Sequence, residues 1–213
     1  MKSVVVIGAG GFGREVLDIL ESLQQRSMTG LDILGVIDDG PSSISLSRLE
    51  DRGYAYLGPL DDWLERGIAA MYVVAIGNPV VRKRICSKIE SFQALEAFTA
   101  VHPSAVMGSA VRLGKGTVIC AGVNISTNVA TGGHVHLNPG AIIGHDSILH
   151  SFVSVNPGAI VSGDVTLGEE SLLGAGAVVL QGLAVGAGST VGAGAVVTRD
   201  VGDNIVVKGV PAR

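Results

Sequence analysis

His145 and Asp146 are adjacent in the chain and make its most chemically suggestive pair. An imidazole titrates near neutrality. A neighbouring carboxylate orients the ring and stabilises its charged form, which together make a general base with its orienting partner. The same two residues also suit a solvated surface pair. A second constellation, Gly8-Ala9-Gly10-Gly11-Phe12-Gly13, fits G-x-G-x-x-G after an apolar run and before an amphipathic one. Backbone amides at such a helix start can hold a phosphate. Asp38 and Asp39 end the next apolar run, where a ribose hydroxyl would sit. The options are a nucleotide site, a dinucleotide (NAD) site, or a tight turn with no ligand. Gly77-Asn78 repeats the logic further on: Gly77 permits close approach, and Asn78 offers an amide to a base or sugar or simply caps a helix. His134 and His136 alternate, but no third metal ligand follows at a useful spacing, so solvated or interface histidines are expected and no metal site.

The elements that must position these groups fall into two parts, 1–98 and 99–213. In the first, strands are expected at Ser3–Ile7, Ile33–Ile37 and Tyr72–Ile76, and a helix at Arg14–Leu23 with Val16, Leu17, Leu20 and Leu23 on one face. Shorter helices are expected at Leu60–Glu65 and from Pro79 to about Glu90, with Pro41–Gly53 as a polar loop. Strands alternating with helices imply a parallel sheet in a small Rossmann-like α/β domain.

From Val101 to Val197 every sixth residue is aliphatic, with Thr131 the one exception. That period fits neither a helix nor a two-faced strand. It belongs to a parallel β-helix, in which three hexapeptides close one triangular coil and 18 residues return the chain to the same face. About five to six coils at roughly 4.8 Å spacing give a prism about 25 Å tall. No insertion interrupts the period, so any site in this part must be built from coil residues and a neighbouring subunit.

Composition narrows the partners. The net charge is −4, no Lys/Arg run occurs, and aromatic residues are 4% of the chain. These values argue against a nucleic-acid surface. No apolar stretch of roughly 18 residues points to a membrane span, and the first residues do not read as a cleavable signal. Cys86 and Cys120 are far apart and read as reduced thiols of a cytoplasmic protein.

Taken together, Gly8–Gly13, Asp38-Asp39, Ala75–Asn78, His102-Pro103-Ser104, His145-Asp146 and the ending Gly209–Arg213 resemble the sialic acid O-acetyltransferase and bacillosamine-type sugar N-acetyltransferase family. The likeness covers essentially the whole chain. It implies a left-handed hexapeptide β-helix, a homotrimer with sites between subunits, and acetyl-CoA as co-substrate. By resemblance, His145 is the catalytic base, Asp146 its acidic partner, and the Gly163 amide a contact for the thioester carbonyl. Ala175 and Ala193 line the CoA groove, while Gly10, Gly11, Phe12, Asp38, Asp39, Gly77 and Asn78 hold a nucleotide-linked sugar. Two positions depart from the family pattern. Phe12 replaces a polar turn residue and can stack on substrate. Ser154 replaces a histidine near the acetyl group, with His136 one coil earlier in the same column. Asn156 is a further polar candidate near the acceptor amine.

The expected activity is transfer of an acetyl group to the amine of a nucleotide-linked amino sugar of the 4-amino-4,6-dideoxyhexose type. O-acetylation of a sialic-acid-like sugar is the alternative within the family. An NAD-binding regulatory or redox protein, a metal-dependent hydratase and a non-catalytic scaffold are the alternatives outside it.

Overall fold

The computed structural model describes residues 2–26, 30–92 and 95–213. The chain divides into two compact units, Met1–Pro103 and Ser104–Arg213.

The first unit carries β1 (Lys2–Ile7), α1 (Gly11–Arg26), β2 (Leu31–Ile37), α2 (Ser43–Glu50), α3 (Leu60–Glu65), β3 (Ala70–Val74), α4 (Pro79–Glu90) and β4 (Leu95–Ala97). Its parallel sheet has the order β2-β1-β3-β4. The chain leaves β1 for one neighbour and later returns to its other side, so β1 and β3 flank a topological switch point, where α/β sheets open a crevice at their carboxyl ends. Val4, Val5 and Val6 are fully buried in the middle of the sheet. α1 covers it with Val16, Leu17, Ile19 and Leu20, the stripe expected of a core-facing helix. The helix starts as early as Gly11 because the glycine turn is so tight: a Cβ on Gly13 would lie 1.9 Å from the Gly8 carbonyl oxygen. The stretch expected as loop, Pro41–Gly53, holds α2 instead. The Ser42 hydroxyl accepts the Ser45 N–H, and Leu49 is buried. A serine-rich segment reads as a loop, but serine is also a strong N-cap.

The second unit is the expected left-handed β-helix. Two-residue strands stack in parallel on three faces, each one coil from the next. The pairs His136↔Ser154, Ile142↔Ile160 and Ile148↔Thr166 exemplify the first, second and third faces. Column residues such as Leu137, Ile143, Leu149, Val155 and Val161 are at most 1% exposed and fill the core. Thr131 breaks the aliphatic column because its hydroxyl accepts the Gly114 N–H at 3.1 Å. Three residues after each column position from Met107 to Val191 the backbone turns through the left-handed region. These positive-φ residues recur every six from Ala110 to Gly194, and Asn128, His134, Asp146, Phe152 and Asp164 are among them. The final turn is shorter, since Val191 pairs with Val207, 16 residues on. There the tail folds over the last strand: Val196 N–H donates to the Gly209 oxygen and Ala212 N–H to the Val196 oxygen. The open sheet edge is thus covered.

Candidate functional site

His145 and Asp146 sit at the corner between the second and third faces, just after the strand Ile142–Ile143. His145 Nδ1 lies 2.7 Å from Asp146 Oδ2. An ionised carboxylate can only accept, so Nδ1 carries the proton and Nε2 keeps its lone pair. Asp146 reaches this position because its φ is +61°, a conformation that aspartate tolerates better than most residues. Its carboxyl is held below the usual range by the His145 hydrogen bond first and by that of Asn128 second. The Asn128 Nδ2 donates to Asp146 Oδ1 at 2.9 Å from one coil away. Side-chain exposures of 60% for His145 and 51% for Asp146 leave the dyad open to a partner molecule.

Gly163 lies one coil beyond His145, with the imidazole against it: a Cβ there would fall 2.4 Å from Nε2 and 2.5 Å from Cε1. The lone-pair edge of the imidazole and the Gly163 backbone therefore share one small space. Among the described residues the Gly163 N–H has no acceptor, and neither do the N–H groups of Ala175 and Ala193. Those alanines occupy the next corner back, between the first and second faces, one coil apart from each other. Asn156 belongs to that corner too, and accepts the Asn138 Nδ2 at 3.1 Å. Ser154 lies within the first face and is fully buried. One chain thus brings His145, Asp146 and Gly163 together, but keeps Ser154, Asn156, Ala175 and Ala193 away from them across the second face. His134 and His136, expected to be solvated or at an interface, are only 2% and 1% exposed. The His134 ring stacks on Phe152 at 5.4 Å. No group of three metal-ligating side chains occurs among the described residues.

In the first unit a cavity of about 400 Å³ opens where β1, β2 and β3 end, lined by Ile7, Ile37, Leu60, Ile76, Val81 and Ile85 with Asp38, Asp39, Arg84 and Lys88. Its size and mixed lining suit a small ligand.

Two matches to family descriptions follow the same division: the PglD N-terminal domain over residues 3–89 and the hexapeptide repeat of succinyl-transferase over 164–199. PerB of Caulobacter crescentus, solved in complex with CoA and GDP-perosamine, superposes with a TM-score of 0.87 at 31% identity, covering 100% of this chain and 97% of that one. A variant of perosamine N-acetyltransferase from Caulobacter crescentus, also with CoA and GDP-perosamine, superposes with a TM-score of 0.88 at 32% identity over 100% and 96% of the two chains. The chain belongs to the bacillosamine- and perosamine-type family of hexapeptide-repeat sugar N-acetyltransferases. The acetyltransferase domain of PglB from Neisseria gonorrhoeae FA1090 superposes at 0.85 with 28% identity over 100% and 99% of the two chains. GDP-perosamine N-acetyltransferase of Escherichia coli O157:H7 is 33% identical over 150 residues, 70% of this chain. UDP-N-acetylbacillosamine N-acetyltransferase of Bacillus subtilis (strain 168) is 33% identical over 124 residues, 57% of this chain. The matched stretches span 65% and 52% of the lengths of those two relatives.

Within this family frame the acidic strand end has a structural duty. Asp38 accepts the Ala9 N–H at 2.7 Å through Oδ2 and the Gly40 N–H at 2.9 Å through Oδ1, so it ties β2 to the glycine turn. Asp39 Oδ1 accepts the Leu60 N–H at the start of α3. Asn78 caps α4, with Oδ1 accepting the Val81 N–H. Gly10, Gly11 and Gly77 differ: a Cβ at Gly10 or Gly77 meets nothing within 4 Å, and at Gly11 only the tip of Arg14, at 3.9 Å. Their openness leaves room for a ligand against bare backbone. Phe12, beside them, is half-buried.

Reading the sequence missed three contributors. Asn128 carries no local signal, and only the 18-residue offset to Asp146 marks it. Arg82 is fully buried and donates from Nη1 to the Ile76 and Gly77 oxygens, at 2.7 and 3.2 Å, fixing the loop before Asn78. Burial pushes its pKa down to about 10. Arg84 lines the cavity and, among the described residues, makes no hydrogen bond or ion pair, whereas its neighbour Lys88 pairs with Asp61.

Proposed function

We propose that the protein transfers an acetyl group from acetyl-CoA to the amine of a nucleotide-linked amino sugar, of the 4-amino-4,6-dideoxyhexose type. The observation that carries this reading is the His145–Asp146 dyad with its Nε2 edge against Gly163 and an uncommitted Gly163 N–H. It occurs in a chain that matches PerB along its whole length.

CoA supplies the acetyl group as a thioester. Ala175 and Ala193, small residues with free N–H groups one coil apart on one corner, suit an elongated thioester chain, and the Gly163 N–H at the other corner suits its carbonyl. His145 Nε2 accepts a proton from the attacking amine, and Asp146 stabilises the imidazolium that results. The Gly163 N–H donates to the carbonyl oxygen as negative charge grows there. The proton on His145 then goes to the departing sulfur, which restores the neutral base. Holding both reactants side by side supplies proximity. The cavity at the sheet switch point, with the glycine turn and Arg84, takes the nucleotide.

The same reading includes a homotrimer in the cytoplasm. Ile142 and Ile148 flank the His145 corner on two faces and are 42% and 47% exposed, and Val106 on the second face is 62% exposed. Apolar side chains exposed along a face favour its burial against another copy. A second subunit there would also bring the alanine corner to the dyad, which one chain does not do.

The test is thiol release from acetyl-CoA with GDP- and UDP-linked 4-amino sugars and their hydroxy counterparts, with the acetylated product read by mass spectrometry. His145→Ala is expected to lose about 10²–10⁴ in kcat. Absence of transfer to any amine, or full turnover by folded His145→Ala, refutes the assignment.

A further inference from the structure

The dyad is exposed, and an exposed carboxylate can rotate so that either oxygen, or neither, meets its histidine. Something has to hold Asp146. Its Oδ2 engages His145 Nδ1 at 2.7 Å, and its Oδ1 accepts the Asn128 Nδ2 at 2.9 Å. The two bonds occupy both oxygens and leave the carboxylate one orientation. Because an ionised carboxylate offers only acceptors, Asn128 must present its NH₂ rather than its oxygen.

The fold makes this contact rigid. Asn128 and Asp146 occupy the same turn position one coil apart, with φ of +60° and +61°, so their side chains leave the corner in parallel. Each backbone is pinned to the coil before it: Asn128 N–H donates to the Ser109 oxygen and Asp146 N–H to the Thr127 oxygen, both at 3.0 Å. Asp164, the same position one coil further on, donates its N–H to the His145 oxygen at 2.8 Å. Glycine fills many equivalent turns, such as Gly122, Gly140 and Gly158. Asparagine also tolerates this conformation, so at residue 128 it adds an amide donor at little backbone cost.

We propose that Asn128 is a positioning residue of the acetyl transfer: its amide locks the Asp146 carboxylate so that the His145 Nδ1 proton, and with it the Nε2 lone pair, is held ready. This rests on the reading of His145 as the base.

Three variants test it. Asn128→Gly removes the amide while suiting the left-handed turn, so folding and assembly are retained. Its kcat is expected to fall about tenfold, the lower end of what lost outer-shell partners cost, with both KM values unchanged. Asn128→Asp replaces the donor by a second carboxylate beside Asp146 and near His145, with Asp164 next along the corner. The imidazolium gains stability, and the acid limb of the kcat/KM profile moves to higher pH. A merely structural residue would lower the melting temperature of Asn128→Gly and leave kcat of the folded enzyme unchanged. If His145→Ala is inactive while Asn128→Gly keeps wild-type kcat and Asn128→Asp keeps the wild-type acid limb, Asn128 has no positioning role. Full turnover by His145→Ala would instead bring down the base assignment, and the role of Asn128 with it.

Discussion

Gly163→Ala isolates the placement of the base from every other contribution. The backbone there is outside the left-handed region and accepts alanine, and the N–H proposed to meet the carbonyl oxygen is retained. The new methyl would fall 2.4 Å from His145 Nε2, 2.5 Å from Cε1 and 3.0 Å from Cδ2, whereas ordinary contact begins near 3.4 Å. The imidazole must therefore retreat by about 1 Å, a displacement that can cost about 10²-fold in rate when it separates aligned groups. Within its own chain the ring is 60% exposed and has room to retreat, but moving outward stretches the 2.7 Å bond to Asp146. The expected outcome is a folded protein whose melting temperature matches wild type and whose kcat is about 100-fold lower, measured by initial rates of thiol release. Combining it with His145→Ala should add little further loss, because both changes disable one group. Gly144→Ala is the contrast. Its methyl would lie 2.5 Å from the Gly163 nitrogen and the Ser162 carbonyl carbon, backbone atoms that cannot swing away, so it is expected to lower stability by about 1–3 kcal/mol. A folded Gly163→Ala enzyme turning over at the wild-type rate refutes the placement of His145 against Gly163.

The glycine turn separates in the same way. Gly13→Ala pushes a methyl into the Gly8 carbonyl and should lower the melting temperature sharply, whereas Gly10→Ala, with open space around it, should leave stability within about 0.5 kcal/mol and raise KM for the nucleotide sugar. Arg82→Met leaves the Ile76 and Gly77 oxygens without their guanidinium donor. Denaturant titration should show a loss of about 2–4 kcal/mol, with KM for the nucleotide sugar raised more than kcat is lowered. The Asp146 carboxyl is depressed by its bonds to His145 and Asn128, so its folded-state pKa lies below its unfolded-state value near 3.8. The stabilisation it gains is complete above the unfolded value and disappears as pH falls through the folded one. A carbon-13 titration of this carboxyl should give a midpoint below 3.8 that rises in Asn128→Gly; an ordinary midpoint in the wild type would contradict the bonding described.

Much of the architecture is legible in the residues because the prism repeats its core. Each aliphatic column position meets the same environment one coil later, and the demand for an apolar side chain recurs unchanged. The left-handed turns recur as faithfully but are hard to read, since Ala110, Asn128, His134, Phe152 and Glu170 stand where glycine would signal the conformation. In the first unit Leu60–Glu65 and Pro79–Glu90 are found where expected, the second with Asn78 as its cap. α2 escaped because its capping serines look like loop residues, and β4 because three residues carry no period. Side-chain duties are the least legible. Asp38 beside a glycine motif suggests a ribose ligand, yet both its oxygens hold backbone N–H groups. Nothing local in Arg82 announces that it is buried.

The 18-residue pairing on every face limits how this chain can change length. A single residue gained inside a strand would turn every later column residue out of the core and carry Gly163 away from His145. A whole coil gained or lost beyond the site leaves both in place. Length in this unit can therefore change without harm in steps of one coil, with smaller changes tolerated at the corners, as in the 16-residue final turn. A gene duplication that respected that step would lengthen the prism without disturbing its chemistry.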